Sequence, residues 1–186
     1  NGQLAAINDC LYRYMDDSKF ITFLDLDEVL VPRLQPNWHL MLSDLLKVRN
    51  YNKICAFNFQ CLFFSTQMSK MPSSQNSILL TKFGLSTLLN TQRELEPWPH
   101  LLRSKEIVIP KRVEIMGVHN VWKQIRDFME YHVPNTTAVL HHYRSFGNSP
   151  NTFIDDSHLL KYQDQLLKMI QSVHKEVFLK SKSRDF

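Results

Sequence analysis

Three carboxylates stand close together at Asp25, Asp27 and Glu28, in the segment FLDLDEVLVP, with apolar residues on both sides. In an extended chain, residues two apart point to the same side, so Asp25 and Asp27 would present both carboxylates to one ion while Leu26 turns into the core. Oxygen ligands suit a hard divalent cation such as Mn²⁺ or Mg²⁺, and a bound diphosphate would complete the coordination. The apolar flanks favour a semi-buried site over a solvated turn.

Two classes of enzyme use such an acidic pair. In phosphatases related to haloacid dehalogenase, Asp25 would be the nucleophile and Asp27 the acid or base, and TFIDDS at 152–157 would imitate that fold's later acidic pair. Glu28 argues against this, because that fold usually has glycine there, and Asp155-Asp156-Ser157 has a simpler interpretation as the N-cap of a helix. In metal-dependent glycosyltransferases of the GT-A type, the acidic pair instead binds a metal that neutralises a diphosphate leaving group.

Hydrophobic periodicity predicts alternating helices and strands, and therefore an α/β domain. The predicted helices are 3–15, 38–48, 121–129 and 157–178, the predicted strands are 20–24, 54–64, 107–109 and 138–142, and 66–78 is a predicted loop. The last helix is expected to turn one apolar stripe inward, made of Leu159, Leu166, Ile170, Val173 and Val177. Cys55 and Cys61 lie too far apart along one predicted strand to form a disulfide, and no C-x-x-C spacing indicates structural zinc.

The composition is that of a soluble globular domain. The 186 residues are 44% hydrophobic and 22% charged, with a net charge of +4 from scattered Lys and Arg, which argues against a nucleic-acid partner. Residues 181–186 are expected to form a basic tail after a domain over 1–180. The sequence contains no run of 18 apolar residues, so we expect contact with a membrane only through an anchor outside this chain.

Four segments in order resemble glycosyltransferase family 92: GQLAAINDCLYR, FLDLDEVLVP, RSKEIVIPKRVEIMGVHNV and LHHYR. The resemblance runs from Gly2 to near Phe178. It implies the C-terminal portion of a GT-A-like nucleotide-diphospho-sugar transferase fold, a mixed sheet flanked by helices. It also implies transfer of a hexose, galactose in characterised members, from a UDP-sugar to a glycan or glycoprotein acceptor. Mn²⁺ dependence and a Golgi-luminal position on a single-pass type II anchor follow from the same resemblance.

The resemblance also implies roles for individual residues. Asp27 would ligate the metal directly, and Asp25 would act through the metal or the ribose. The metal would gain a histidine, for which His119 is favoured, and His142, Tyr143 and Arg144 would lie near the diphosphate. If 138–142 is a strand, His141 and His142 face opposite ways, so at most one reaches the site. Candidate bases for the acceptor hydroxyl are Glu94, Glu96 and Asp127, and Trp98 is a candidate for stacking on an acceptor sugar.

One feature departs from the family pattern. A GT-A enzyme binds uridine with βαβ units that precede the D-x-D strand, whereas 24 residues precede Asp25 here. We therefore expect a partial domain that lacks the first nucleotide-binding units. A third hypothesis follows, a catalytically inactive glycan-binding module. The sequon Asn135-Thr136-Thr137 is consistent with a secretory lumen.

Overall fold

The computed structural model describes residues 2–67, 75–145 and 152–182. The chain divides into two compact units, the first made of Asn1–Phe63 and Glu94–His142, and the second of Phe64–Arg93 and Tyr143–Phe186. The α-helices are α1 (Gly2–Tyr14), α2 (Trp38–Leu45), α3 (Gln75–Lys82), α4 (Ser86–Leu89) and α5 (Gln163–Lys182). Short 3-10 turns cover Tyr51–Lys53, Pro110–Arg112 and His158–Tyr162.

Eleven strands complete the described part of the chain. They are β1 (Ile21–Thr22), β2 (Glu28–Pro32), β3 (Ile54–Phe59), β4 (Cys61–Ser65), β5 (Gln92–Glu94), β6 (Lys105–Val108), β7 (Val113–Met116), β8 (Val121–Gln124), β9 (Met129–Val133), β10 (Ala138–Arg144) and β11 (Phe153–Asp155). Mixed sheets with helices beside them confirm the predicted α/β class and are consistent with a GT-A-like fold. In the described residues, no helix is both long and apolar enough to cross a membrane.

The first unit is built on a mixed sheet with the strand order β1-β6-β3-β9. Strand β6 runs antiparallel to β1 and β3, and β9 runs parallel to β3. Every residue of β3 is buried. A strand that is apolar on both faces is typical of the middle of a sheet covered on both sides, and the run ICAFNF meets that requirement.

A second set of strands in the first unit positions the acidic segment. Strand β2 pairs antiparallel with β10, with Val31 opposite Val139 and Glu28 opposite His142. Beside β10 lies β4, and the Leu140 amide donates to the Gln60 carbonyl at 2.9 Å. This register brings a histidine to the strand end where the three carboxylates begin.

Helix α1 matches the predicted helix 3–15 and packs on the first unit through Ile7 and Leu11. Asn8 fixes its position, because its side chain donates to the Met116 carbonyl at 2.8 Å and accepts from the Met116 amide at 2.9 Å. Met116 ends β7, which pairs with β8 as a hairpin. The lack of a side chain at Gly117 leaves room for the Trp122 indole at that turn.

In the second unit, β5 pairs antiparallel with β4 at Arg93 and Phe64. Arg93 Nε lies 2.9 Å from Asp156 Oδ2, and both side chains are nearly buried. Asp156 Oδ1 accepts from the His158 amide at 3.2 Å at the start of the 3-10 turn that leads into α5. Ser157 occupies the N-cap position of that turn and makes no side-chain cap bond, so capping by this acidic run stays a prediction.

Several sequence expectations are wrong in detail. The predicted helix 121–129 is β8 and the start of β9, because its apolar positions fit a hairpin as well as a helix face. The predicted strand 54–64 is two strands that separate at Gln60 and enter different sheets. Along α5, Leu167 is buried while Leu166, Val173 and Val177 are exposed. Helix α3 begins inside the predicted loop 66–78, of which 68–74 lies outside the described residues, as do residues 183–186 of the predicted tail.

Candidate active site

The acidic segment forms a tight turn between β1 and β2. The Glu28 amide donates to the Asp25 carbonyl at 3.1 Å, and Glu28 Oε2 accepts from the Asp25 amide at 2.9 Å. Because the segment turns and is not extended, Leu26 projects fully into solvent, and the expectation that it enters the core is wrong. Asp25 and Asp27 nevertheless keep side chains that are 46% and 52% exposed.

Lys105 holds this turn from the first residue of β6. Its ammonium nitrogen lies 2.9 Å from Asp25 Oδ2 and 3.3 Å from Glu28 Oε2. Lys105 is 3% exposed and the Glu28 side chain 1%, so the ion pair stabilises a carboxylate that burial alone would strongly destabilise. Lys105 is not among the site residues predicted from the sequence. A lysine that opens the apolar run KEIVIP was the available signal, because a buried cation requires a partner.

His142 contacts the turn from β10. Its Nε2 lies 3.2 Å from Asp27 Oδ2, and its Nδ1 lies 3.5 Å from Glu28 Oε1. The His142 ring also meets Phe63 edge-on, with ring centroids 5.1 Å apart. His141 is completely buried, so the two histidines do separate in environment as the alternation of a strand predicts.

The charges in this cluster suit a cation. The turn carries three carboxylates, of which Lys105 pairs with two, Asp25 and Glu28, so negative charge remains on the turn whether or not His142 is protonated. The half-exposed side chains are those of Asp25 and Asp27. In the described residues no group of three or more His, Cys, Asp or Glu side chains is arranged to hold a metal ion. Asp27 and His142 offer one oxygen and one nitrogen donor. A divalent ion at such a site would take its remaining ligands from a diphosphate and water, as Mg²⁺ commonly does.

His119 lies in the turn after β7 and contacts Ser104, the residue before Lys105. Its side chain is exposed, and its Nδ1 is 3.3 Å from the Ser104 carbonyl oxygen. The histidine in contact with the acidic turn is therefore His142. The role of His119 as a metal ligand stays a prediction.

The three candidate bases have different surroundings. Glu94 ends β5, and its Oε1 accepts at 3.0 Å from the backbone amide of Phe63, the residue whose ring contacts His142. Glu96 is exposed. Asp127 is exposed in a turn with a φ of 70°. The choice among them stays a prediction.

The two residues after His142 belong to the second unit. Tyr143 is buried against Phe64, with ring centroids 5.1 Å apart, and burial raises the pKa of its phenol. The expected position of Tyr143 near a diphosphate stays a prediction. Arg144 is exposed, and its carbonyl accepts from the Thr66 amide at 3.1 Å.

A second ionisable cluster lies on β3, β6 and β9 and on the turn that precedes β6. Asn58 Nδ2 donates to Glu106 Oε1 at 2.8 Å, and Asn58 Oδ1 lies 2.8 Å from His100 Nδ1. Burial first, and the neighbouring Glu130 carboxyl second, raise the pKa of Glu106 to about 9. Burial and the His132 ring, stacked 4.3 Å away, lower the pKa of His100.

Comparisons with known proteins agree with the segments noted in the sequence. A family model described as glycosyltransferase family 92 matches residues 1–176. Glycosyltransferase family 92 protein F59C6.8 of Caenorhabditis elegans is 25% identical over 142 residues, which are 76% of this chain and 25% of that protein. Glycosyltransferase family 92 protein ZK381.2 of the same nematode is 24% identical over 120 residues, which are 63% of this chain and 21% of that protein. The chain thus spans a quarter or less of the length of the curated relatives it matches.

Proposed function

Because this chain belongs to glycosyltransferase family 92, we propose that it carries part of a site that transfers a hexose, galactose as the first candidate, from a UDP-sugar to a glycan acceptor. The observation that carries the proposal is the acidic turn. The buried ion pair between Glu28 and Lys105 fixes the turn in place. The side chains of Asp25 and Asp27 stay half-exposed, and Asp27 contacts His142. The donor types suit Mn²⁺.

The residues of the turn would have different roles in the proposed site. Asp27 and His142 would hold Mn²⁺, and Asp25, fixed by Lys105, would act through the metal or the ribose. The chemistry that a bound divalent cation supplies is neutralisation of the charge on the leaving diphosphate. Arg144 stays a candidate for the diphosphate, and Glu94, Glu96 and Asp127 stay candidates for the base that takes the proton of the acceptor hydroxyl.

The proposed setting is the Golgi lumen, with a type II membrane anchor outside this chain and glycoproteins among the acceptors. The sequon at Asn135 supports a secretory location, because it lies in a turn where the Thr137 amide donates to the Pro134 carbonyl at 2.8 Å. The phosphatase hypothesis loses support from family membership. Asp156, part of the acidic pair it requires, is engaged by Arg93 and the His158 amide.

Calorimetric titration of UDP into this chain tests the proposal. We expect binding that needs Mn²⁺, is abolished by EDTA, and weakens at least about tenfold in Asp27→Asn, which corresponds to about 1.4 kcal/mol. Asp17→Asn is the matched control, because Asp17 is an exposed aspartate outside the turn. UDP binding that ignores both EDTA and Asp27→Asn would refute the metal site. Chelator-insensitive glycan binding without UDP binding would favour the inactive binding module.

A further inference from the structure

An exposed arginine lies over two aromatic rings in the first unit, defined here as the Arg103 platform: Arg103, the half-buried Trp98 and the buried Phe63 beneath them. The Arg103 guanidinium carbon lies 4.8 Å from the Trp98 ring centroid and 5.5 Å from that of Phe63. The two rings are themselves 5.6 Å apart and tilted by 54°. Cation–π contacts of this kind hold a guanidinium in place without using its N–H donors.

The backbone around the platform is held in an unusual conformation. Leu101 and Arg103 both have positive φ angles, 69° and 60°, which residues with side chains rarely adopt. The start of this segment is anchored, because the Trp98 amide donates to the Cys61 carbonyl at 2.8 Å and Gln60 donates to the Trp98 carbonyl at 3.0 Å. Backbone strain of this kind clusters at sites that bind ligands.

Arg103 has N–H donors available for a ligand. Arg103 is exposed, and within the described part of the chain its side chain makes ring contacts but no hydrogen bond or ion pair. A planar guanidinium has five N–H donors, so a stacked and otherwise uncommitted one presents a fixed row of donors to a ligand. Leu101 and Leu102 in the same turn are exposed and add apolar surface.

The platform adjoins the acidic turn through His142, by one ring contact and one polar contact. Phe63 belongs to the platform and meets His142 edge-on, and His142 Nε2 lies 3.2 Å from Asp27 Oδ2. We propose that the Arg103 platform binds the acceptor sugar, with the guanidinium donating to sugar hydroxyls and Trp98 and its leucine neighbours contacting the C–H face. The identification of the sugar as the acceptor depends on the proposed transferase function; binding of a sugar at this surface does not.

Saturation-transfer NMR on this chain, in EDTA and without UDP, tests the platform with galactose, fucose, mannose and N-acetylglucosamine as probes. We expect at least one sugar to bind, and Arg103→Met and Trp98→Ala each to weaken it about tenfold. Arg103→Lys keeps the charge but loses the planar guanidinium, so this variant should bind the sugar with intermediate affinity. Such residual binding would also show that the variant is folded. Arg126→Met and Trp122→Ala change an exposed arginine and an exposed tryptophan elsewhere, and should leave binding unchanged.

Parallel titration of UDP with Mn²⁺ separates this proposal from the transferase proposal. If UDP fails to bind but sugar binding depends on Arg103 and Trp98, the platform stands and the donor site fails. If no probe sugar binds to the wild type, or if the platform variants bind sugar as the wild type does, the platform proposal is overturned. Loss of UDP binding instead of sugar binding in Arg103→Met would overturn it too, because the platform would then belong to the donor.

Discussion

Lys105 is buried beside the acidic turn, with its ammonium group in reach of both Asp25 and Glu28. Removing one partner of a buried ion pair leaves a charge without compensation, which typically costs about 3–5 kcal/mol. Asp25 is half-exposed, so water screens its interaction with Lys105, and losing that interaction costs less than losing the buried one with Glu28. We therefore expect Lys105→Met to lower the free energy of unfolding by ~3 kcal/mol, measured by urea denaturation.

Two further variants make the Lys105 experiment specific. Glu28→Gln removes the stranded charge and keeps an oxygen that accepts from the Asp25 amide, so the double variant should regain at least half of the loss. Lys47→Met breaks an exposed pair with Asp44 and should change stability by less than about 0.5 kcal/mol. A Lys105→Met chain as stable as the Lys47→Met chain would contradict this account of the turn.

The residues of the site could be predicted only in part. A pair of aspartates after a short apolar strand was visible in the sequence, and so was a histidine near the end of another strand. The partners were not visible, because the pairing of Glu28 with His142 depends on the register between β2 and β10. Lys105 lies 80 residues from Asp25 along the chain, and no local pattern links the two.

At the scale of single elements, α5 offers a contrast between two positions on one helix. Leu167 is 7% exposed, whereas Val173 is 48% exposed. Truncating a buried leucine to alanine costs about 2–5 kcal/mol, whereas a surface change costs less than about 0.5 kcal/mol. We expect Leu167→Ala to lower the midpoint of thermal unfolding clearly and Val173→Ala to leave it nearly unchanged. Equal effects of the two substitutions would show that the Val173 side of α5 is buried in solution.

Elements with one clear pattern were predictable, and elements with two compatible patterns were not. Helix α1 has helical spacing and nothing else; of the four apolar positions at that spacing, Ile7 and Leu11 are buried, Leu4 is half-buried and Tyr14 is exposed. The segment 121–129 has apolar residues at positions that fit a helix face, yet Val121 and Trp122 favour a strand, and the pairing of β8 with β7 decides the outcome. In the sequence, Gln60 fits one polar position in a long strand. In the structure, its side chain donates to the Trp98 carbonyl and its carbonyl accepts from the Leu140 amide, and the strand ends there.

At the scale of the whole molecule, buried carboxyl groups make stability depend on pH. Glu106 Oε2 and Glu130 Oε2 are both buried, with no hydrogen-bond donor among the described residues. A proton shared between the two carboxyl groups satisfies both oxygens, in keeping with the pKa of Glu106 being raised to about 9. The folded chain therefore holds a proton at neutral pH that the unfolded chain, with an ordinary glutamate pKa near 4.5, has already released.

The sign of the pH effect follows from this difference in bound protons. The folded-state pKa is raised, so the stabilisation is fully present below pH 4.5 and is lost as the pH rises toward 9. We expect the free energy of unfolding to fall between these values by on the order of 1 kcal/mol per pH unit at most. Glu106→Gln keeps the acceptor for Asn58, supplies a permanent N–H donor to Glu130, and should flatten the dependence. Glu114→Gln, an exposed glutamate paired with Lys123, should keep the wild-type slope. Chemical denaturation at pH 5, 7 and 9 makes the comparison, and equal slopes for Glu106→Gln and wild type would show that this pair does not hold a proton.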